Sequence, residues 1–332
     1  MKNKNNKMRT YIIFMLPLCL ISALAISFIF YINMPPNLEQ PEHVPVVSDI
    51  NTNKQGNTDD LPAPPQTAKI YKDGFYTFLI TGIDQEGQNT DTIMIASFDT
   101  DNNKLNIVSI PRDSQVDVQR NPQKINAAYA HGGVKQLEKE LQSLLGFSPH
   151  YHIVLNLEAF EELVDAIGGI KFDVPQDMYK SDPSQNLYIN LKKGVQTLDG
   201  NKAMQFVRYR GYANADIGRM QAQQQFLIAL ADKLLSFSNL VKLNELIAIF
   251  TEHIETNLSL REIQWFARQA MSLDPNIDIN VHTLPYEGFG SYRGSSYVYL
   301  AEKELLTLIN ATINPYTFQI TDHYVQIIRL ED

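Results

Sequence analysis

Residues 76–110, YTFLITGIDQEGQNTDTIMIASFDTDNNKLNIVSI, predict three consecutive β-strands and thereby the class of the fold. The first run, YTFLIT, is β-branched and aromatic and stops at Gly82, and residues 92–99 and 104–110 have the same character. The last two runs are joined by TDNN, a turn composition, so we expect them to pair as an antiparallel hairpin.

Beyond these strands, helical and strand patterns alternate along the chain. We expect helices over residues 124–145, 158–167, 199–207 (with Asp199 as N-cap), 216–237, 240–250, 259–272 and 296–313, and strands over 152–157, 170–174 and 277–284. Strands that alternate with helices indicate an α/β layered domain. Because the hairpin is antiparallel, the central sheet is expected to be mixed.

The N-terminus predicts a membrane anchor. A basic cytoplasmic tail at residues 1–10 precedes an apolar segment at 11–33, about the 20 residues that span a bilayer. The basic flank marks the cytoplasmic side, so the rest of this single-pass chain should be extracytoplasmic. A cleaved signal peptide and a lipoprotein modified at Cys19 are the alternatives. The run is long for a signal peptide, and no clear cleavage site follows it before Pro35.

Composition divides the remainder of the chain into a linker and one domain. Residues 34–72 are rich in Pro, Asn, Gln and Asp and predict a flexible linker, and residues 73–332 form the folded domain. The single cysteine, Cys19, lies in the anchor, so the domain has neither a disulfide nor thiol chemistry. A net charge of −9 without a basic block beyond the first nine residues argues against a nucleic-acid partner.

Two aspartates, Asp84 and Asp91, flank a polar loop after the first predicted strand. Loops at strand ends are where α/β sheets place their ligands. Two carboxylates there suit Mg²⁺, which takes one or two protein carboxylates together with phosphate oxygens and water. A solvated turn is the alternative, because Asp, Asn and Gly are common turn residues.

Arg112 and Asp113 follow a strand that ends in Ile-Pro. The proline ends the strand and turns the chain outward, which should place Arg112 at the same sheet edge as Asp84. Arginine presents a planar fork of donors that matches phosphate geometry. A salt bridge at the end of the strand is the alternative interpretation.

The helix predicted over residues 216–237 carries two polar residues on its apolar face. Arg219 and Gln223 are four residues apart and are followed on the same face by Phe226 and Leu230. This spacing points both polar side chains into the protein, where an unpaired charge is costly. An anionic ligand or a carboxylate is therefore expected beside them, near the positive end of the helix dipole.

Arg208 and Arg210 precede this helix, and with Arg112 and Arg219 they make up four of the ten arginines of the chain. A cation near the end of a helix is favourable by itself, which is the alternative for Arg208. Three arginines within twelve positions of an acidic chain nevertheless indicate a site for an anion such as a phosphate.

Taken in order, these motifs resemble the LytR-CpsA-Psr family of membrane-anchored phosphotransferases. The resemblance covers the exported domain from about residue 75 to at least residue 313. It is carried by GID ending at Asp84, TDT at 90–92, SIPRD at 109–113, KINAAYAHGG at 124–133, AIGGI at 166–170, LDG with VRYR at 198–210, and DIGR with Gln223 at 216–223.

The resemblance implies a three-layered α/β/α domain that moves a phosphate-linked glycopolymer from undecaprenyl pyrophosphate to a peptidoglycan hydroxyl. The polymer would be a wall teichoic acid or capsule of a Gram-positive type envelope. The family's site maps onto metal-binding Asp84 and Asp91, and onto pyrophosphate-binding Arg112, Arg208, Arg210, Arg219 and Gln223. Within that set we expect catalytic roles for Arg112 and Arg219 together with Asp113, and either Asp91 or Asp113 would accept the hydroxyl proton.

Two positions depart from the family pattern. Asn89 and Ala222 stand where arginine is frequent, which puts the strength of pyrophosphate binding and the choice of donor in doubt. A polyprenyl-pyrophosphate hydrolase and a non-catalytic wall-binding paralogue are therefore alternatives. The pair His150 and His152 suggests zinc, but no third ligand follows at a convincing spacing, and a strand-edge pair explains it better.

Overall fold

The computed structural model describes residues 33–40, 70–83, 89–183, 187–212, 215–236, 246, 248 and 254–330. The anchor predicted over 11–33, apart from its last residue, lies outside these ranges, as do Asp84 and most of the helix predicted over 240–250. Within the described ranges, no helix combines the length and the apolar character needed to cross a bilayer.

A six-stranded mixed sheet forms the centre of the domain, in the order β10-β3-β2-β1-β4-β9. Its strands are β1 (Phe75–Ile83), β2 (Thr90–Asp99), β3 (Lys104–Ser109), β4 (Tyr151–Leu155), β9 (Ile254–Thr256) and β10 (Ile279–Thr283). Strand β1 pairs antiparallel with β2 and parallel with β4, and β10 runs parallel to β3. The predicted β2–β3 hairpin, the α/β class and the mixed sheet are confirmed.

Helices cover both faces of this sheet. They are α1 (Ala128–Leu145), α2 (Leu157–Ala166), α3 (Gly200–Arg208), α4 (Ala215–Leu234), α5 (Leu260–Ala270) and α6 (Glu302–Thr312). Because successive strand residues point to opposite faces, Leu79 packs in a core with Leu141 of α1 and Ile309 of α6. Its neighbour Phe78 packs on the other face, where its ring lies edge-on to Phe266 of α5.

A second core lies beside the sheet. Strand β5 (Ile170–Val174) pairs with β8 (Gly194–Leu198), and β6 (Met178–Asp182) pairs with β7 (Leu187–Leu191). These two strand pairs pack with α2, α3 and α4 around Phe172, Phe206 and Phe226, whose ring centroids lie 4.8–5.6 Å apart. Strands β6, β7 and β8 were not among the predicted strands, although the alternation of LYINL in β7 is typical of a half-buried strand.

The helix predicted over 296–313 is partly wrong. Residues 295–300 form strand β12 (Ser295–Leu300), which pairs with β11 (Tyr286–Tyr292), and α6 begins only at Glu302. The two tyrosines and the valine of SSYVYL are compatible with a strand, and pairing with β11 stabilises it as one. The helix predicted over 124–145 is also interrupted. A 3₁₀ turn at Ile125–Ala127 precedes α1, and Gly133 with φ of 65° kinks α1 after its first turn.

Local capping explains where several of these helices begin and end. The Asp199 carboxylate accepts the Lys202 amide at 2.9 Å and begins α3, as predicted. Gly146 ends α1 in the left-handed conformation, with φ of 78°. Ser259 and Glu262 form a reciprocal capping box at the start of α5.

The described part of the predicted linker contacts the domain. The indole of Trp265 donates to the carbonyl of Asn33, and Arg261 donates to the carbonyl of Met34 at 2.8 Å. The amides of Ile70 and Tyr71 both donate to the side chain of Gln40. Residues 33–40 and 70–71 therefore lie against the folded domain at both ends of the linker.

His150 is held as a neutral ring by its surroundings. Its Nδ1 accepts the backbone amide of Thr77 at 3.0 Å, and its ring lies edge-on to Tyr71 with centroids 4.5 Å apart. The neighbouring His152 bonds separately to Glu138 at 3.0 Å. Burial lowers the pKa of His150 from 6.5 to about 4, because a charged imidazole would lose its hydration there.

We predict an acid-sensitive component of stability from His150. Between pH 6.5 and about 4 the unfolded chain binds a proton that the folded chain does not, so the free energy of unfolding falls as pH falls through this window. Because of His150, the free energy of unfolding is about 3 kcal/mol higher above pH 6.5 than it is below about pH 4. Urea unfolding at pH 7.5 and pH 4.5 measures it. His150→Gln keeps an acceptor but does not titrate, and an unchanged pH dependence in that variant would contradict the assignment.

Candidate active site

A cavity of about 750 Å³ lies between the central sheet and α4. Most of its lining is apolar. Sheet residues Ile80, Met94 and Ile107 face α4 residues Phe226, Leu227, Leu230 and Leu234. The polar lining includes residues of both stretches in which the phosphate site was predicted, and Asn156, Lys180 and Asp182 add to it. The residues from the two stretches are Asp91, Arg112, Asp113, Arg208, Arg210, Arg219 and Gln223. The fold thus brings together every predicted site residue that is described, while Asp84 lies outside the described residues.

Asp91 joins the two stretches of sequence. Its Oδ1 accepts Arg112 at 2.5 Å and Arg210 at 3.4 Å, although Arg112 and Arg210 are 98 positions apart. Oδ2 of Asp91 has no hydrogen-bond partner among the described residues. The Asp91 side chain is 49% exposed, so its carboxylate faces solvent at the cavity. One carboxylate therefore joins two guanidiniums from distant stretches of the chain.

Arg112 is positioned by the turn that follows β3. The hydroxyl and the amide of Ser114 both bond to the carbonyl of Pro111, and the carbonyl of Arg112 accepts the Asn126 amide. The Nε of Arg112 is buried and finds no acceptor within the described part of the chain. Oδ2 of Asp113 lies 3.9 Å from it, beyond hydrogen-bond range. This N–H can still donate a hydrogen bond to an anionic oxygen.

Lys124 is a site residue that the sequence reasoning missed. Its ammonium donates to Asp113 Oδ1 at 3.0 Å and lies 5.8 Å from the ring of the fully buried Tyr297. This lysine is the first residue of the motif KINAAYAHGG, and its place in that motif is the sequence signal that could have identified it as a site residue. Lys124 fixes the orientation of Asp113 beside Arg112.

The second stretch is held by the junction of α3 and α4. Gln223 donates from Nε2 to the carbonyl of Val207 at 3.0 Å, which fastens the last turn of α3 to α4. Arg219 and Gln223 line the cavity together with Phe226 and Leu230, which is the helix face that the periodicity predicted. Arg208 and Arg210, before this junction, and Arg219, after it, therefore line the same cavity.

Of the two departures from the family pattern, Ala222 has a packing role. It is 5% exposed and belongs to the second core, with Phe206 and Phe226. Asn89 lies two residues before Asp91, at the start of β2, and is half-buried. At position 222 the chain thus has a small core residue instead of a further cation.

The sequence profile of the LytR_cpsA_psr family matches residues 46–314. The chain belongs to this family. Regulatory protein MsrR of Staphylococcus aureus is 34% identical over 195 residues, which are 57% of this chain and 58% of MsrR. The polyisoprenyl-teichoic acid–peptidoglycan teichoic acid transferase TagV of Bacillus subtilis is 31% identical over 198 residues, 56% of this chain and 51% of TagV.

The similarity to these LytR_cpsA_psr proteins extends to the fold. The crystal structure of B. subtilis TagV superposes with a TM-score of 0.61 at 25% identity, covering 71% of this chain and 95% of that one. In sequence, the chain spans just over half the length of the two curated relatives.

Proposed function

We propose that this chain transfers a phosphate-linked glycopolymer, such as a teichoic acid, from a polyprenyl pyrophosphate carrier to a hydroxyl of peptidoglycan. TagV, whose fold it shares, is named for a reaction of this kind. The protein would act at the outer face of the cell membrane, held by the anchor predicted at residues 11–33.

One observation carries the proposal. The cavity combines a long apolar lining with four arginines, and a polyprenyl pyrophosphate has the same two parts. Burial of a prenyl chain against aliphatic side chains contributes about 25 cal/mol per Å² of apolar surface removed from water. The guanidiniums match the pyrophosphate oxygens in charge and in fork geometry. A small soluble metabolite would use only the polar part.

The arginines supply the electrostatic part of the reaction. The acceptor hydroxyl attacks the polymer-bearing phosphorus and gives its proton to Asp91 or Asp113. The new P–O bond forms as the bond to the bridging oxygen breaks, and polyprenyl phosphate leaves. Arg112, Arg210 and Arg219 line the cavity in which negative charge develops, and the Nε of Arg112 is a buried donor without an acceptor among the described residues. Donors that are already oriented stabilise that charge without reorganising during the step.

Asp91 suits Mg²⁺ as a ligand. Its half-exposed carboxylate provides hard oxygen donors at the cavity, and only one of its oxygens is bonded to arginine among the described residues. Together with Asp84, which lies between β1 and β2 in the sequence, it would hold the ion. When bound, Mg²⁺ neutralises pyrophosphate charge.

The test is a transfer assay with purified protein, labelled lipid-linked polymer and peptidoglycan. We expect label on peptidoglycan, loss of transfer on chelation and recovery with Mg²⁺. Asp91→Asn should lower the rate by about a hundredfold at saturating Mg²⁺. The exposed Asp177→Asn is the matched control and should behave like the wild type. Label released as free polymer would instead identify a hydrolase, and no turnover by the wild type would contradict both activities.

A further inference from the structure

A second, smaller cleft of about 290 Å³ adjoins the large cavity. Three elements form it: the N-terminal turn of α2, one face of α3 and the start of β7. Its polar lining consists of Glu158, Glu161, Tyr188, Asn201, Gln205 and Arg208. Its volume is near the lower end of small-molecule pockets, which run from about 300 to 1,000 Å³. It is therefore suited to a compact polar unit, not to a long chain.

Arg208 lines both the small cleft and the large cavity. Leu157, Leu187 and Met204 are also shared, so the two spaces are neighbours along a common wall. A group bound in the small cleft thus lies next to an arginine of the proposed pyrophosphate site. This is the position that a second substrate of a transfer reaction requires.

The walls of the small cleft approach closely because position 200 has no side chain. A Cβ at Gly200 would lie 2.3 Å from the carbonyl oxygen of Glu161, so α2 and α3 pack here only with glycine. The Asp165 carboxylate accepts the Gly200 amide at 2.8 Å and fixes the contact. The glycine of the LDG motif thereby sets Glu161 opposite Asn201 and Arg208.

Hydrogen bonds orient the polar groups of the cleft before any ligand binds. Gln205 accepts the Asn190 amide at 2.8 Å and donates to Oδ1 of Asn201 at 2.7 Å, which leaves the amide nitrogen of Asn201 as a donor. The pKa of Glu161 is raised, mainly by burial and then by the negative charges of Asp165 and Glu158. The surroundings therefore disfavour a negative charge on this carboxyl group. Tyr188 is 58% exposed and presents its ring as a flat apolar surface.

We propose that this cleft binds a sugar unit of the acceptor glycan, with Tyr188 against the sugar ring and with Asn201 and Glu161 bonded to its hydroxyls. The inference rests on the proposed function, because it places the second substrate of that reaction. An exposed aromatic ring combined with amide donors and carboxylate acceptors matches a ligand that has both apolar C–H faces and many hydroxyl groups.

Charge favours the acceptor over the donor polymer in this cleft. Glu158 and Glu161 line it together, and two carboxylates repel a polymer that carries phosphate in every repeat. A glycan strand of peptidoglycan has neutral sugar rings and meets no such repulsion. Arg208, the single cation of the lining, lies on the side shared with the large cavity.

Tyr188→Ala in the full-length protein tests the proposal. We expect the KM for peptidoglycan acceptor to rise about tenfold, while the KM for the lipid-linked donor stays unchanged. Glu161→Gln should also raise the acceptor KM. Tyr292→Ala is the matched control, because Tyr292 is a similarly exposed tyrosine that lines neither cavity. Calorimetric titration with a muramidase-solubilised glycan fragment measures acceptor binding without turnover.

The outcomes separate this inference from the proposed function. If Tyr188→Ala weakens glycan binding, the result supports acceptor binding in the cleft even when the wild type transfers nothing. In that case only the proposed function fails. Normal transfer with an unchanged acceptor KM in Tyr188→Ala and Glu161→Gln would overturn the proposal that this cleft binds the acceptor. A raised donor KM in these variants also overturns it, because the cleft would then hold the polymer.

Discussion

Replacing Arg112 by alanine is expected to lower the transfer rate by about a hundredfold or more while leaving the fold intact. Arg112 lines the cavity, its buried Nε has no acceptor among the described residues, and its fork bonds Asp91. The variant removes both a donor to the developing charge and the constraint on Asp91. The rate of label transfer to peptidoglycan measures the effect, and urea unfolding checks the fold.

Two further variants make the Arg112 prediction specific. Arg112→Lys keeps the charge but loses the fork, so we expect an intermediate rate. Arg329→Ala removes an exposed arginine paired with Glu302, away from the cavity, and should leave transfer unchanged. Full activity of Arg112→Ala would be incompatible with the proposed site, and equal losses in both alanine variants would point to a non-specific charge effect.

Glu140→Gln is expected to produce the largest loss of stability that we predict, about 3–5 kcal/mol. Glu140 is 3% exposed and pairs through both oxygens with Arg120, which also donates to the carbonyl of Lys124. Without the carboxylate charge, the guanidinium of Arg120 stays buried and uncompensated. Since Lys124 bonds Asp113, we also expect transfer to fall. Urea unfolding near pH 7 measures the stability.

The double variant Arg120→Met, Glu140→Leu is the control for the buried pair. It removes both charges together and should recover most of the lost stability, because the penalty comes from the unpaired charge and not from the absence of the pair. Asp177→Asn breaks the exposed pair with Lys192 and should cost little. A loss for Glu140→Gln no larger than that of Asp177→Asn would contradict the role of Arg120.

Much of the fold followed from local pattern. The β-branched and aromatic run YTFLIT, the turn at residues 100–103 and the N-cap Asp199 act over a few positions, and the structure has each element where these signals predict it. The prediction failed at residues 295–300, where helical and strand patterns are both compatible with the sequence. Pairing with β11 decided between them, and such pairing cannot be seen from a single segment.

For the candidate site too, local sequence patterns predicted some features, while others depend on contacts between distant residues. Helical periodicity alone placed Arg219 and Gln223 on an inward face, and the structure lines the cavity with both. The bonds that join Asp91 to Arg112 and Arg210, and Lys124 to Asp113, depend on residues far apart in the chain. No spacing rule predicts such pairs.

The sequence by itself determined the α/β class, the inward-facing arginine and the residue types of a phosphate site, because these depend on side-chain periodicity and local chemistry. Only the tertiary structure decided which carboxylate joins which guanidinium, that an apolar cavity continues from the arginines, and that Arg208 separates it from a second cleft. Cavities arise where packed elements leave space between them. That space depends on how sheet and helices pack, and single contacts such as Gly200 against Glu161 set its width.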